Sequence, residues 1–174
     1  MKAIYCIFVL YILLFFSCLD HNTKDRIALK VIIPQHVEIY NPFIADTIIQ
    51  NLNNYKQRKI YTLINVSCAT CLFKLQKWDS LQLEHPNIAI IPVCHSRDNF
   101  EQLKFLFENN KIARIHIPLL LDLEDSFAIK NNSLMKSNNL TVLTDGGDRV
   151  LLNGDPLESE IDRKKFFGLL KLSK

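Results

Sequence analysis

From Lys59 onward, apolar and polar residues alternate between two kinds of pattern along the chain, and the alternation predicts the elements. Ile60–Val66 is a short, mostly apolar run rich in β-branched residues (Ile60, Thr62, Ile64, Val66), which predicts a buried strand. Immediately after it, Leu72, Leu75, Trp78 and Leu81 recur at three-residue spacing, with Lys74, Gln76, Lys77, Asp79 and Gln82 on the other side, which predicts an amphipathic helix. His85-Pro86-Asn87 then reads as a turn, and Ile88–Val93 (IAIIPV) as a strand covered on both faces, since it shows no alternation. Such a strand belongs to a parallel arrangement.

The remaining pattern is weaker but consistent. The odd positions from Ile27 to Ile39 are largely apolar, which predicts a half-buried strand or strand pair broken by Pro34. Asn41-Pro42 opens a short helix over 43–52. A helix is predicted over Ser96–Asn110, with Phe100, Leu103 and Leu106/Phe107 on one face, then a short apolar segment at Pro118–Asp122 and a weaker helix around 125–130. Leu140–Thr144 and Arg149–Leu152, joined by Asp145-Gly146-Gly147-Asp148, form the clearest hairpin signal, and Ile161–Leu172 closes the chain as an amphipathic helix.

Ahead of all this lies Ala3–Phe16, fourteen residues without a charge. That is short for a membrane span of about 20 residues and suits the core of an export signal. Ser17-Cys18 resembles the end of a bacterial lipobox, although Phe15 and Phe16 depart from its usual residues; the resemblance implies cleavage before Cys18 and lipidation of that cysteine. An uncleaved N-terminal anchor is the alternative. The expected organisation is a signal peptide over 1–17, a polar tether over 18–26 and one domain over 27–174.

Composition narrows the function classes. With 174 residues, 48% of them hydrophobic, the chain is long enough for one core. The net charge is +3 and the longest basic block is Arg163-Lys164-Lys165, so no nucleic-acid partner is expected. All four glycines fall in the last thirty residues, so no glycine-rich phosphate loop opens an earlier helix and no nucleotide cofactor is expected.

The candidate chemistry is Cys68 and Cys71, three apart in VSCATCLFKLQKW, where the predicted strand meets the predicted helix. Unpaired amides and the helix dipole at that position favour a thiolate. Disulfide exchange needs an accessible thiolate to attack and a second thiol to resolve. Three other readings of the pair remain open: half of a metal site with Cys94-His95, a structural disulfide, or a relic in a binding module. Cys94 itself reads as a buried thiol and Trp78 as core.

Three blocks, VSCATCLFKLQKW, IAIIPV and LTVLTDGGDRVLLNGDP, in this order of elements, resemble the thioredoxin superfamily, in particular the exported or membrane-tethered thiol-disulfide oxidoreductases of the TlpA/ResA-like group. The resemblance spans about Ile27 to Leu172. It implies an α/β thioredoxin-like fold: a central mixed sheet flanked by helices, with an N-terminal strand extension. It also implies Cys68 as nucleophile and Cys71 as resolving thiol, no cofactor, and exported protein thiols or disulfides as partners together with a redox partner that recycles the pair. The lipid anchor would hold such a domain at the bacterial cell envelope, facing the periplasm. One departure stands out. The family's cis-proline falls at Asn139, six residues before Asp145, and since a non-proline cis bond costs about 2.5–4 kcal/mol, Asn139 is expected to be trans.

Overall fold

The computed structural model describes residues 29–41, 43, 58–136 and 139–171, and these form one six-stranded mixed sheet with helices on both faces. The strands are β1 (Val37–Tyr40), β2 (Lys59–Asn65), β3 (Ala89–His95), β4 (Leu119–Asp122), β5 (Thr141–Thr144) and β6 (Val150–Asn153). The helices are α1 (Ala69–Glu84), α2 (Glu101–Glu108), α3 (Ser126–Lys130) and α4 (Glu160–Lys171). The spatial order is β1-β4-β3-β2-β5-β6. The central strands β2, β3 and β4 run parallel, while β1 on one side and β5 and β6 on the other are antiparallel to their neighbours.

The unbroken apolar runs of β2 and β3 are explained by a core on each face of the sheet. Ile60, Ile64, Ile90 and Cys94 point to one side, where Leu75, Trp78 and Leu81 of α1, Leu103 and Phe107 of α2 and Phe166 of α4 cover them. Tyr61, Ala89, Ile91 and Val93 point to the other, under Phe127 of α3, Leu134, Leu140 and Val31. Trp78 is fully buried, and truncating a core aromatic of this size typically costs about 3–5 kcal/mol.

Several expectations are corrected in detail. Asp79, placed by spacing on the polar face of α1, is buried: its carboxylate accepts the Ile117 N–H (3.1 Å), the His116 N–H and the His116 Nδ1 (3.0 Å), so it ties down the approach to β4. The helix expected from Ser96 begins only at Glu101. The residues before it form a turn in which Asp98 accepts the Gln102 N–H at 3.0 Å and Asn99 and Phe100 take positive φ (53° and 67°), which swings the Phe100 ring into the core. The predicted N-terminal strand is shorter, since only Val37–Tyr40 pairs with β4. Ahead of Pro34, the chain at 29–31 lies along the open side of β6: the Val150 N–H donates to the Leu29 carbonyl (2.8 Å), the Val31 N–H donates to the Asp148 carbonyl (3.0 Å), and Lys30 and Arg149 form an antiparallel bridge. Of the helix expected over 43–52, only residue 43 is among the described residues.

The β5–β6 hairpin owes its turn to Asp145, whose carboxylate accepts the Gly147 and Arg149 N–H groups (2.9 Å each) and pairs with the Arg149 Nε (2.8 Å). Asp148, at φ 66°, leaves this turn to accept Lys59 Nζ (2.9 Å) and Tyr61 OH (2.7 Å) at the start of β2. Among the described residues, no helix is long and apolar enough to cross a membrane. The apolar run 3–16 and Cys18 lie outside the described residues.

Candidate functional site

The site is built where β2 ends. Asn65 closes that end with an Asx turn, its side-chain oxygen accepting the Ser67 N–H at 3.0 Å, and the Val66 N–H donates to the His95 carbonyl at 3.0 Å. Ser67 Oγ lies 3.1 Å from Ser96 Oγ and accepts the Arg97 N–H at 2.9 Å, which fastens the β2–α1 junction to the loop after β3. The chain emerges from this anchored turn at Cys68.

Cys68 is the N-cap of α1, with extended backbone (φ −115°, ψ 119°), and its carbonyl accepts the first helical N–H groups, from Cys71 (3.0 Å) and Leu72 (3.2 Å). The first turn holds no acidic residue and no side chain caps its amides, so an anion at Cys68 meets the free end of the helix dipole without a competitor. The Cys68 thiol is half-exposed, and its sulfur lies 3.0 Å from Thr70 Oγ1. Hydrogen bonding from the Cys71 thiol, then from the Thr70 hydroxyl and the Cys71 amide, holds the Cys68 thiol below the ordinary range, at about 7. Cys71 shifts the other way. Partial burial pushes it up first, then the hydrogen bond and negative charge of Cys68, while the Thr70 hydroxyl and, after it, the Lys74 ammonium pull against them. The neighbouring thiols therefore differ in kind, one prepared to be a thiolate and the other to keep its proton; both are free.

Cys71 opens onto a cavity of about 390 Å³ that is also lined by Thr70, Lys74, His95, Asn139 and Glu158. Asn139 lines the same cavity as Cys71, and its backbone is engaged in a way no proline could copy: its N–H donates to the Lys136 carbonyl and its carbonyl accepts the Lys136 N–H (2.8 Å each). Among the described residues no peptide bond is cis, and Asn138, the other partner in the bond in question, is outside them. The following residue, Leu140, accepts the Leu63 N–H at 2.8 Å and so holds this strand start against β2.

Cys94 and His95 do not act together. Strand alternation sends Cys94 into the core with no exposure, where burial raises its pKa, and leaves His95 at the cavity. Among the described residues no group of three or more His, Cys, Asp or Glu side chains could hold a metal ion.

Sequence reasoning missed the charged side of the cavity. Lys74, placed on the solvent face of α1, has only 20% side-chain exposure; its Nζ donates to Asp155 Oδ2 (2.6 Å) and Glu158 Oε1 (2.7 Å). Burial alone would lower its pKa, but the two carboxylates outweigh that and raise it, so Lys74 is cationic. No sequence signal joins the trio, since the partners are 81 and 84 residues from Lys74.

The central mixed sheet flanked by helices, with a Cys-x-x-Cys pair at a strand-to-helix junction, is a thioredoxin-like α/β fold. Among solved structures, the chain is similar to a candidate thiol:disulfide interchange protein DsbE of Chlorobium tepidum (TM-score 0.53, 12% identity, covering 80% of this chain and 94% of that one). It is similar also to an uncharacterized thioredoxin-like protein of Porphyromonas gingivalis (TM-score 0.53, 18% identity, 83% and 95% covered) and to a candidate thiol-disulfide oxidoreductase of Bacteroides vulgatus (TM-score 0.50, 13% identity, 67% and 76% covered). At these identities the likeness is one of fold. No protein-family model matches the chain, and no curated protein matches it in sequence.

Proposed function

We propose that this chain is a membrane-anchored thiol-disulfide oxidoreductase of the bacterial envelope, facing the periplasm and acting on exported proteins, with Cys68 as nucleophile and Cys71 as resolving thiol. The observation that carries the reading is the split between the two thiols: a half-exposed Cys68 on the bare N-terminus of α1, lowered to about 7, and a Cys71 held protonated three residues further on. The Cys68 thiolate attacks one sulfur of a substrate disulfide, forming the Cys68–substrate bond and expelling the other substrate sulfur as a thiolate. Cys71, once deprotonated, attacks the Cys68 sulfur; the Cys68–Cys71 bond forms, the second substrate thiolate leaves, and two electrons have passed from the pair to the substrate. The reverse sequence oxidises a substrate dithiol, and an external thiol-disulfide partner restores the starting state in either direction.

Envelope placement and anchoring rest on the apolar run ahead of Ser17-Cys18. The test of the chemistry is quantitative alkylation of the protein across a glutathione redox series. A reversible two-electron transition confined to Cys68 and Cys71 is the expected result; bound metal without such a transition points instead to a metal-carrying or redox-inactive binding module. For the anchor, the protein expressed in bacteria incorporates labelled fatty acid and loses it in Cys18→Ala. Labelling that survives Cys18→Ala, or none in the parent, removes lipidation from the reading.

A further inference from the structure

Resolution needs a deprotonated Cys71, yet in the resting dithiol burial and the neighbouring Cys68 both keep its proton in place. A group that favours the Cys71 thiolate only when it is wanted would remove the conflict. Besides Cys71, the charged and titratable side chains lining this cavity are Lys74 and Lys77 from α1, His95 from the end of β3 and Glu158 from the β6–α4 connection; Cys68 acts on Cys71 from its other side in sequence, and Asp155 is paired to Lys74. Of these, Lys74 alone is both on the Cys71 face of α1, three residues on, and fixed in place.

Resting on the oxidoreductase reading, we propose that Lys74 is the positioning residue for resolution: clamped by Asp155 and Glu158, its ammonium stabilises the Cys71 thiolate that attacks the mixed disulfide. An ammonium has three donors, and two are taken by Asp155 Oδ2 (2.6 Å) and Glu158 Oε1 (2.7 Å); the charge so held lines the same cavity as Cys71 and acts on it. Asp155 is itself held, accepting the Leu157 N–H at 2.9 Å and donating its own N–H to Asp162 at 3.1 Å, so the clamp does not drift. The timing follows from charge. While Cys68 is a thiolate, its charge opposes a second anion at Cys71. When Cys68 is tied to substrate that charge is gone, the Lys74 ammonium remains, and the balance at Cys71 tips toward the thiolate. The Cys71 proton leaves to cavity water, the Cys71 sulfur bonds to that of Cys68, the Cys68–substrate bond breaks, and the departing substrate thiolate takes up a proton from solvent.

The experiment uses the full chain in detergent. In a Cys68→Ser background, which mimics a Cys68 without charge, the pH dependence of Cys71 alkylation is compared with Lys74 intact, Lys74→Met and Lys74→Arg. Lys74→Met moves the Cys71 titration upward by about one unit, roughly tenfold less thiolate at a given pH, and Lys74→Arg restores it. With Cys68 present, Lys74→Met slows release of the second substrate thiol by about tenfold while first attack by Cys68 keeps its rate, a split that a merely structural lysine would not produce. If Lys74→Met does not fold, Lys74→Gln, which can still donate to Asp155, isolates the charge. A Cys71 titration indifferent to Lys74 in a protein whose cysteine pair still cycles overturns this role and leaves the oxidoreductase reading standing. A parent protein whose pair does not cycle overturns both.

Discussion

Two thiol environments lie side by side in this protein, one strand apart. Cys94 is in the middle of the sheet, paired in register with Ile64 of β2 and sealed in the core; Cys68 lies four residues beyond that same Ile64, at the free end of α1. The residue type is the same and the chemistry is opposite. At Cys94 burial disfavours the thiolate and nothing offsets it, whereas at Cys68 a second thiol, a hydroxyl and backbone amides stabilise it. Reactivity here is a property of where a strand stops and a helix starts.

The sharpest way to break that comparison is to remove the thiols one at a time. Cys71→Ser traps mixed disulfides with partner proteins, because Cys68 still attacks and nothing resolves the product; Cys68→Ser traps few, and Cys94→Ser leaves trapping and redox cycling as they are. Non-reducing gels of cell extracts read all three, and trapping through Cys94 would end the distinction. The next effect is on rate. Alkylation of Cys68 rises through a midpoint at about pH 7, since the thiol predominates below it and the reactive thiolate above it, so that about a tenth of the full rate remains one unit lower. A stopped-flow pH series that placed the midpoint at the ordinary thiol value would remove the helix-end argument.

Stability should separate the regions in the other direction. Cys94→Ser buries a hydroxyl in an apolar core and costs about 1–3 kcal/mol, measurable as a lowered melting temperature, while Cys68→Ser at its half-exposed position changes it far less. The smallest effect belongs to Asn139→Pro. It deletes the N–H donated to Lys136 and costs about 1 kcal/mol, without speeding exchange; faster turnover would instead mean that the missing proline limits the groove.

Much of this was legible along the chain because it depends on neighbours in sequence. The β2–α1 junction, the non-alternating β3 and the Asp145 turn each express a local rule, and counting back six residues from that turn reaches Asn139, which lines the same cavity as Cys71. What escaped depends on long-range partners. Asp79 was assigned to solvent because its spacing is polar, and only the packing of residues 116 and 117 shows that it is a buried cap. Lys74 failed in the same way, for no periodicity in α1 announces carboxylates from beyond β6. The late start of α2 has a different cause: Phe100 fits the helical pattern by its burial, but it reaches the core from a left-handed backbone after the Asp98 turn.

The segment at 29–31 carries a consequence for handling the protein. β6 is the outermost strand on its side, and a bare outer strand is a template on which another copy can add a strand. Leu29 and Val31 occupy that template by hydrogen-bonding to the start of β6 and its turn. A version beginning at residue 27 keeps this cover, whereas one trimmed to Pro34 uncovers the strand and invites self-association that sedimentation at rising concentration would reveal. Residues 29–31 thus protect the sheet from its own copies.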